Sequence, residues 1–326
     1  MHPLEEHVLH KYLLYLKDNV LQPQHLIVGL SGGVDSVVLL HILAKLNQTG
    51  NTAHDLSALH INHGISSNAA FWSQFCHKYC ASLNIALTVI KHHVVKSGGE
   101  SLENNARKVR YQEFLNSTAP IIGLAHQKND QLETTISQIF RGSDLHNIAA
   151  MREISYKKNK LIWRPLLDIS RDQIESYAQE YNLTYIDDES NNDINYLRNF
   201  IRQIILPSLT KFDKNIHNKI LKLPQQLQNT LDLVDHLAEI DLEYISTSIN
   251  NEQVIIVEQL KTLDHIRQYN VLAYYLKKHN LPLPTLKQLN EFINQVLSAR
   301  WEKQPSLHLN KTHTIIKSKN YIKLVF

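Results

Sequence analysis

The chain lacks the residues that mark several common protein classes. Only two of its 326 residues are cysteine, Cys76 and Cys80, and both fall on one predicted helix. A secreted disulfide framework is therefore excluded, and a reducing cytosol fits. No stretch approaches the roughly 18 uninterrupted apolar residues of a membrane span. Met1 to Asn19 interleaves Glu5, Glu6, His7, Lys11 and Lys17 with leucines, which describes an amphipathic helix and not a signal-peptide core. Neither G-x-x-x-x-G-K-[ST] nor G-x-G-x-x-G occurs, which argues against Walker-type phosphoryl transfer and Rossmann hydride transfer. Internal repeats and low-complexity tracts are missing too. So is a strong excess of one charge: 34 Lys and Arg against 31 Asp and Glu leave +3, too little to announce a nucleic-acid partner.

What remains is ordinary globular composition, 43% hydrophobic and 20% charged, on a chain long enough for two cores. From His25 the pattern alternates short apolar strands with longer helical runs: His25 to Leu30, Ser36 to Leu46, Leu56 to Ile61, Ser66 to Leu83, Ala86 to Ile90, Ser101 to Asn116, Ile121 to Leu124, and a helix after Asn129. This predicts α/β units on a parallel sheet covered by helices. Past Pro207 the pattern changes to a long helical stretch, Leu209 to Tyr244. Two further helical segments flank Leu281-Pro282-Leu283-Pro284, and Ser306 to Phe326 alternates like a short β meander. The expected domains are 1–210, α/β, and 211–326, smaller and mainly helical. Lys157-Lys158-Asn159-Lys160 reads as a basic solvated turn.

The strongest local signal is Ser31-Gly32-Gly33-Val34-Asp35-Ser36, between a strand and a helix. Two glycines let backbone amides turn inward, and the helix start adds free amides and partial positive charge, a combination that suits phosphates. Ser31 and Ser36 can donate hydroxyl hydrogen bonds. Asp35 would repel an anion unless a divalent cation such as Mg²⁺ stood between them. A glycine turn with a Ser or Asp cap uses the same residue types, but the strand–loop–helix setting favours a ligand.

Further segments carry chemistry-bearing residues. His60-Ile61-Asn62-His63-Gly64 closes the second strand, at the carboxyl end where open α/β sheets place ligands. As a zinc site the two histidines lack a third ligand, and Cys76-x-x-x-Cys80 lacks a second pair. Glu103, Arg107 and Arg110 share a helix face, and fixed guanidinium groups backed by a carboxylate suit phosphate, although a solvated salt-bridged face has the same look. His126, Asp130 and Glu133 share the next face, in Ala125 to Thr134. Arg141-Gly142-Ser143 and Arg164-Pro165-Leu166-Leu167 follow, then Asp188-Glu189-Ser190-Asn191, then Tyr196-Leu197-Arg198-Asn199-Phe200-Ile201-Arg202. Arg198 and Arg202 lie one turn apart and can brace a phosphate or a reacting oxygen.

The first loop resembles the pyrophosphate loop of the ATP pyrophosphatases, which split ATP into AMP and pyrophosphate. All five segments in order resemble the tRNA(Ile)-lysidine synthase family, closely over roughly residues 25 to 205 and loosely beyond. The chain departs from the family's A-H-H-x-D-D-Q-x-E-T pattern at Gln127 and Asn129. The resemblance implies a cytoplasmic ligase that adenylylates the wobble cytidine of a CAU-anticodon tRNA(Ile) and joins L-lysine to its carbon 2, and it admits a homodimer. It further implies ATP binding by Ser31, Gly32, Gly33, Val34, Asp35, Ser36 and His60, with Mg²⁺ on Asp35. Substrate or phosphate binding falls to Arg107, Arg110, His126, Asn129, Arg141 and Asn199, and catalysis to Asp35, Asp130, Glu133, Arg198 and Arg202. Asp130 and Glu133 are the candidates to hold the lysine ammonium. The competing readings are a tRNA thiolase of the same superfamily and a tRNA-binding homologue with altered catalysis.

Overall fold

A computed structural model describes residues 1–15, 25–52, 55–64, 68–92, 102–187, 193–300 and 302–325, without the side chains of 102–104. The Asp188-Glu189-Ser190-Asn191 motif, the side chain of Glu103 and the predicted helix starts Ser66 and Ser101 lie outside the described residues. The chain forms two compact units, residues 1–225 and 226–326.

The first unit runs α1 (Pro3–Tyr15), β1 (His25–Gly29), α2 (Val34–Gln48), β2 (Asp55–Asn62), α3 (Ala69–Ser82), β3 (Ala86–Lys91), α4 (Leu102–Asn116), β4 (Ile121–Gly123), α5 (Lys128–Phe140), α6 (Leu145–Ile148), β5 (Ile154–Lys157), β6 (Lys160–Trp163), α7 (Arg171–Glu180), α8 (Leu197–Phe200) and α9 (Leu206–Phe212). α10 (Ile216–Ile245) begins in this unit and continues into the second. The sheet order is β3-β2-β1-β4-β6-β5, parallel except for β5, which pairs antiparallel with β6. That last pair is a hairpin. Lys158 and Asn159 adopt φ of 48° and 62°, the left-handed pair that a two-residue turn between twisted strands requires. The basic tract is thus a turn, as the sequence indicated, and it closes a hairpin whose two strands the pattern did not announce.

The period-2 alternation of the strands sorts the core into two layers. Leu26 and Val28, Ala58, Ile121, Leu161 and Trp163 face the layer built with α1, α2, α3 and α7. Ile27, Leu59, Ile122 and Ile162 face the other layer, where Phe114 and Tyr111 of α4 cover them. α2 is apolar almost all round and buried at ten positions from Val34 to Leu46, as expected of a helix packed between the sheet and an outer layer. α8 and α9 are joined through a single π-helical turn, Ile201–Ile205, and Ile201 and Leu206 pack on Leu132 and Ile136 of α5. Such an insertion re-aims the residues around it and recurs at functional positions.

The second unit contains β7 (Ser246–Ile249), β8 (Glu252–Ile256), α11 (Val257–Leu260), α12 (His265–Lys278), α13 (Leu286–Ser298), β9 (Ser306–His308), β10 (Thr314–Ser318) and β11 (Tyr321–Val325). Its antiparallel sheet has the order β7-β8-β11-β10-β9 and shares a core with α12 and α13. The terminal meander is present, extended by β7 and β8 into five strands. No described helix is long and apolar enough to cross a membrane.

Candidate nucleotide-binding cleft

The chemistry-bearing segments of the first unit meet at the carboxyl ends of β1, β2 and β4, in a cleft of about 810 Å³. The loop after β1 is preformed. The Ser36 hydroxyl accepts from the amides of Ser31 (3.2 Å) and Gly32 (3.3 Å) and donates to the Gly33 carbonyl at 2.9 Å. Ser36 is buried, so it ties the loop into shape, while Ser31 is exposed. Gly32 has φ of +94°, where a side chain would be strained, and its carbonyl accepts from the Ile186 amide at 2.9 Å. Gly33 caps α2 without a side-chain hydrogen bond, which leaves the first-turn amides open to an anion. Gly29 also matters, because a Cβ there would stand 2.6 Å from Cζ of Phe114. A side chain at that position would force the Phe114 ring to shift. Nothing in the motif itself flags Gly29.

Asp35 lines the cleft, and its Oδ1 is buried without a partner. Burial, followed by the neighbouring Asp130, pushes its carboxyl up to about 7, against the pull of Arg171 and Arg202. The unsatisfied Asp35 oxygen on the cleft suits a divalent cation. Asp130 accepts from the Gln127 amide at 2.9 Å and from Nη2 of Arg198 at 3.2 Å.

Glu133, fully buried, takes Nε and Nη2 of Arg202 at 2.6 and 3.1 Å and meets Nε of Arg198 at 3.4 Å. Burial holds its carboxyl above the ordinary value in spite of both guanidinium groups. With both oxygens engaged, Glu133 holds the two arginines in place, whereas the sequence had offered it as a holder of an ammonium group. Arg198, in α8, and Arg202, within the π-helical turn, both line the cleft.

His60 is buried. Its Nδ1 donates to the Leu30 carbonyl at 2.9 Å, which ties the ends of β1 and β2 together, and burial holds the ring below its ordinary pKa. His63 lines the cleft with neither ring nitrogen partnered, and burial followed by Arg110 lowers it to about 4. Burial and then Arg164, Arg107, Arg198 and Arg110 keep His126 neutral. Arg107 and Arg110 of α4 line the cleft.

Asn129, Arg141 and Asn199 are placed elsewhere. The Asn129 amide is bound by the Gln127 side chain at 2.8 Å. Arg141 is exposed at the carboxyl end of α5, and buried Asn199 donates to the Asp193 carbonyl at 2.8 Å. Arg171 and Tyr111 are cleft residues that sequence reasoning passed over. Arg171 had one signal, a cation on the first turn of a helix, where the macrodipole disfavours it.

A doubly covered, mostly parallel sheet whose first strand feeds a glycine loop and an uncapped helix defines a nucleotide-binding α/β domain of the pyrophosphate-loop class. A PP-loop domain match covers residues 4–209, and a TilS substrate binding domain match covers residues 257–321. The chain belongs to the PP-loop family. It is 37% identical over 284 residues to a tRNA(Ile)-lysidine synthase of Nitrosomonas europaea, covering 86% of this chain and 61% of that one. It is 35% identical to the enzyme of the same name from Chromobacterium violaceum, covering 87% and 64%. The chain thus spans about six tenths of the length of such curated relatives. Among solved structures, the U34-tRNA thiolase of Methanococcus maripaludis matches with a TM-score of 0.55 at 18% identity, over 69% of this chain and 78% of that one, a likeness of fold.

Proposed function

We propose that the chain is a cytoplasmic, ATP-dependent ligase that joins L-lysine to carbon 2 of the wobble cytidine in a CAU-anticodon tRNA(Ile). The tRNA passes through an adenylated intermediate, and pyrophosphate and AMP are released in turn. In this reading residues 1–210 carry the chemistry and 211–326 bind tRNA. The observation that carries it is the convergence of the phosphate loop with Asp130, Arg198 and Arg202 on one cleft, from segments far apart in the sequence. The similarity to lysidine synthases supplies the substrates.

In the first step the nucleobase oxygen attacks the α-phosphorus of ATP, and charge builds on the departing pyrophosphate. The open amides of α2 and the guanidinium groups of Arg198 and Arg202, already fixed by Glu133 and Asp130, meet that charge without reorganising. Mg²⁺ would be held by Asp35, whose Oδ1 has no partner, and would neutralise phosphate charge there. In the second step the ε-amine of lysine displaces AMP from carbon 2. The cytidine of an anticodon loop is unpaired, so no duplex has to be opened.

The thiolase reading is disfavoured. Cys76 and Cys80 are buried, and burial pushes their thiols up to about 12 and about 11, away from the thiolate that sulfur chemistry needs. The test is label transfer: purified protein, ATP, Mg²⁺, radiolabelled L-lysine and unmodified tRNA(Ile), with Asp35→Asn alongside. Label in the tRNA that requires ATP and Asp35 is expected. Bound tRNA without label would return the thiolase and the altered homologue.

A further inference from the structure

Beneath the α4 side of the cleft lies an unbalanced charge. Arg164, one residue past β6, is 5% exposed, and no described carboxylate pairs with it. Its Nη1 donates to the Arg152 carbonyl at 2.7 Å and to Oγ of Ser155 at 3.1 Å, Nη2 donates to Oη of Tyr111 at 3.4 Å, and Nε is buried without a partner. A guanidinium group can only donate, so Tyr111 is the acceptor in that contact and its own proton is free to point elsewhere. Tyr111 lines the cleft. His126, which feels the charge of Arg164 as Tyr111 does, also lines the cleft, with Nδ1 buried and unpartnered. Arg107 sits 5.3 Å and Lys157 5.7 Å from the Tyr111 ring.

The cleft's carboxylates, Asp35, Asp130 and Asp187, come from other segments, and Asp130 is already paired with Arg198. Burying a guanidinium group without a counter-ion is costly, and the cost falls when a ligand brings the negative charge. The loop that suits the phosphates of a nucleotide follows β1, whereas Arg164 follows β6, two strands away across β4.

We propose that Tyr111 and His126, backed by Arg164, form an oxyanion subsite on the β4–β6 side of the cleft, distinct from the phosphate loop. Tyr111 donates its hydroxyl proton to the anion, and Arg164 acts as a positioning residue that orients and polarises that hydroxyl. The identity of the occupant rests on the ligase reading: the oxyanion is supplied either by the carboxylate of the free amino acid or by a backbone phosphate of the RNA. The cations around Tyr111 also hold its phenol below the usual tyrosine value even though burial pushes it up, which makes it a stronger hydrogen-bond donor.

The test compares wild type with Tyr111→Phe, which keeps the ring and removes only the hydroxyl, and with Arg164→Met, which removes the buried charge. Binding of labelled L-lysine, of an anticodon stem-loop RNA and of ATP is measured separately by equilibrium dialysis, alongside the steady-state KM for each and the thermal midpoint. A hydrogen bond to a charged group predicts that Tyr111→Phe weakens one acceptor-side ligand by about 10-fold to 100-fold with ATP binding and the thermal midpoint unchanged. Weaker lysine binding identifies a carboxylate occupant; weaker RNA binding identifies a phosphate. Arg164→Met should shift the same ligand in the same direction. If it does not fold, Tyr111→Phe decides alone. Unchanged affinity for both ligands, or weakened ATP binding, overturns the subsite. A wild type that binds both ligands but makes no lysidine overturns the ligase reading and leaves the subsite to the dissociation constants. A wild type that binds neither overturns both.

Discussion

Asp35→Asn tests how the cleft is charged. The carboxyl of Asp35 rises from 3.8 to about 7, through burial first and Asp130 second. An acid that holds its proton more tightly when folded than when unfolded makes stability fall as pH climbs above 3.8, and the fall is complete once pH passes about 7. Between about pH 5.5 and about pH 8 these values amount to a loss of about 2 kcal/mol, which solvent at the cleft mouth reduces to about 1 kcal/mol. An asparagine does not titrate. The stability of the variant relative to wild type should therefore grow by about 1 kcal/mol over that interval, about 3 °C in the thermal midpoint of a unit of this size. Thermal unfolding followed by circular dichroism at both pH values, without nucleotide or divalent cation, reads the difference. At the higher pH, ATP with Mg²⁺ should stabilise wild type more than the variant, because the carboxylate then has a partner. A difference that stays flat or narrows as pH rises refutes the reasoning.

Four further outcomes follow from particular contacts. Gly29→Ala places a methyl group 2.6 Å from Phe114 and 3.0 Å from Leu124, and should cost about 1–3 kcal/mol in urea unfolding. Glu133→Ala strands the Arg202 guanidinium and leaves Arg198 with Asp130 alone, and should cost about 3 kcal/mol, with Glu133→Gln milder; a loss under about 1 kcal/mol would deny that Glu133 organises them. Gln127→Ala removes the cap of α5 and should cost about 1 kcal/mol, measured the same way. Glu5 is buried, which alone would raise its carboxyl, but hydrogen bonds from Lys45, the His2 amide, Tyr177 and Tyr181 leave it below its ordinary 4.5. A depressed acid stabilises above the unfolded value and loses that contribution as pH falls, so the advantage of wild type over Glu5→Gln should shrink on acidification from neutral pH through about 4.5.

The parts of the molecule that were legible in advance are those set by neighbours in sequence. The glycine loop, the buried α2 and the alternating strands are local patterns, and each appears where the residues placed it. What stayed hidden depends on pairs remote in the chain. Arg202 reaches Glu133 across 69 positions and Arg198 reaches Asp130 across 68, so their mutual engagement cannot be read from helical spacing. The same spacing that put His126, Asp130 and Glu133 on one face says nothing about which of them is already satisfied. The β5–β6 hairpin was hidden for another reason: its turn was legible, but its strands, Ile154–Lys157 and Lys160–Trp163, are too short to stand out as alternating runs.

The two departures from the family pattern, Gln127 and Asn129, lie outside the cleft lining. Gln127 is 3% exposed and does not line the cleft. Its side-chain oxygen accepts the Asn129 amide while Asp130 accepts the Gln127 amide, a reciprocal cap that closes the start of α5. A glutamine performs that task with an amide oxygen and carries no proton that catalysis could use. Asn129 likewise contributes its backbone to the cap and is not among the cleft-lining residues. The ionisable groups that do face the ligand space in this segment, His126 and Asp130, are both retained. The cap also uses one oxygen of Asp130 and leaves the other for Arg198, so the helix start and the arginine clamp share one carboxylate. The changes at 127 and 129 therefore fall on the scaffold of the motif, and the motive they gave for a homologue with altered catalysis is correspondingly weaker.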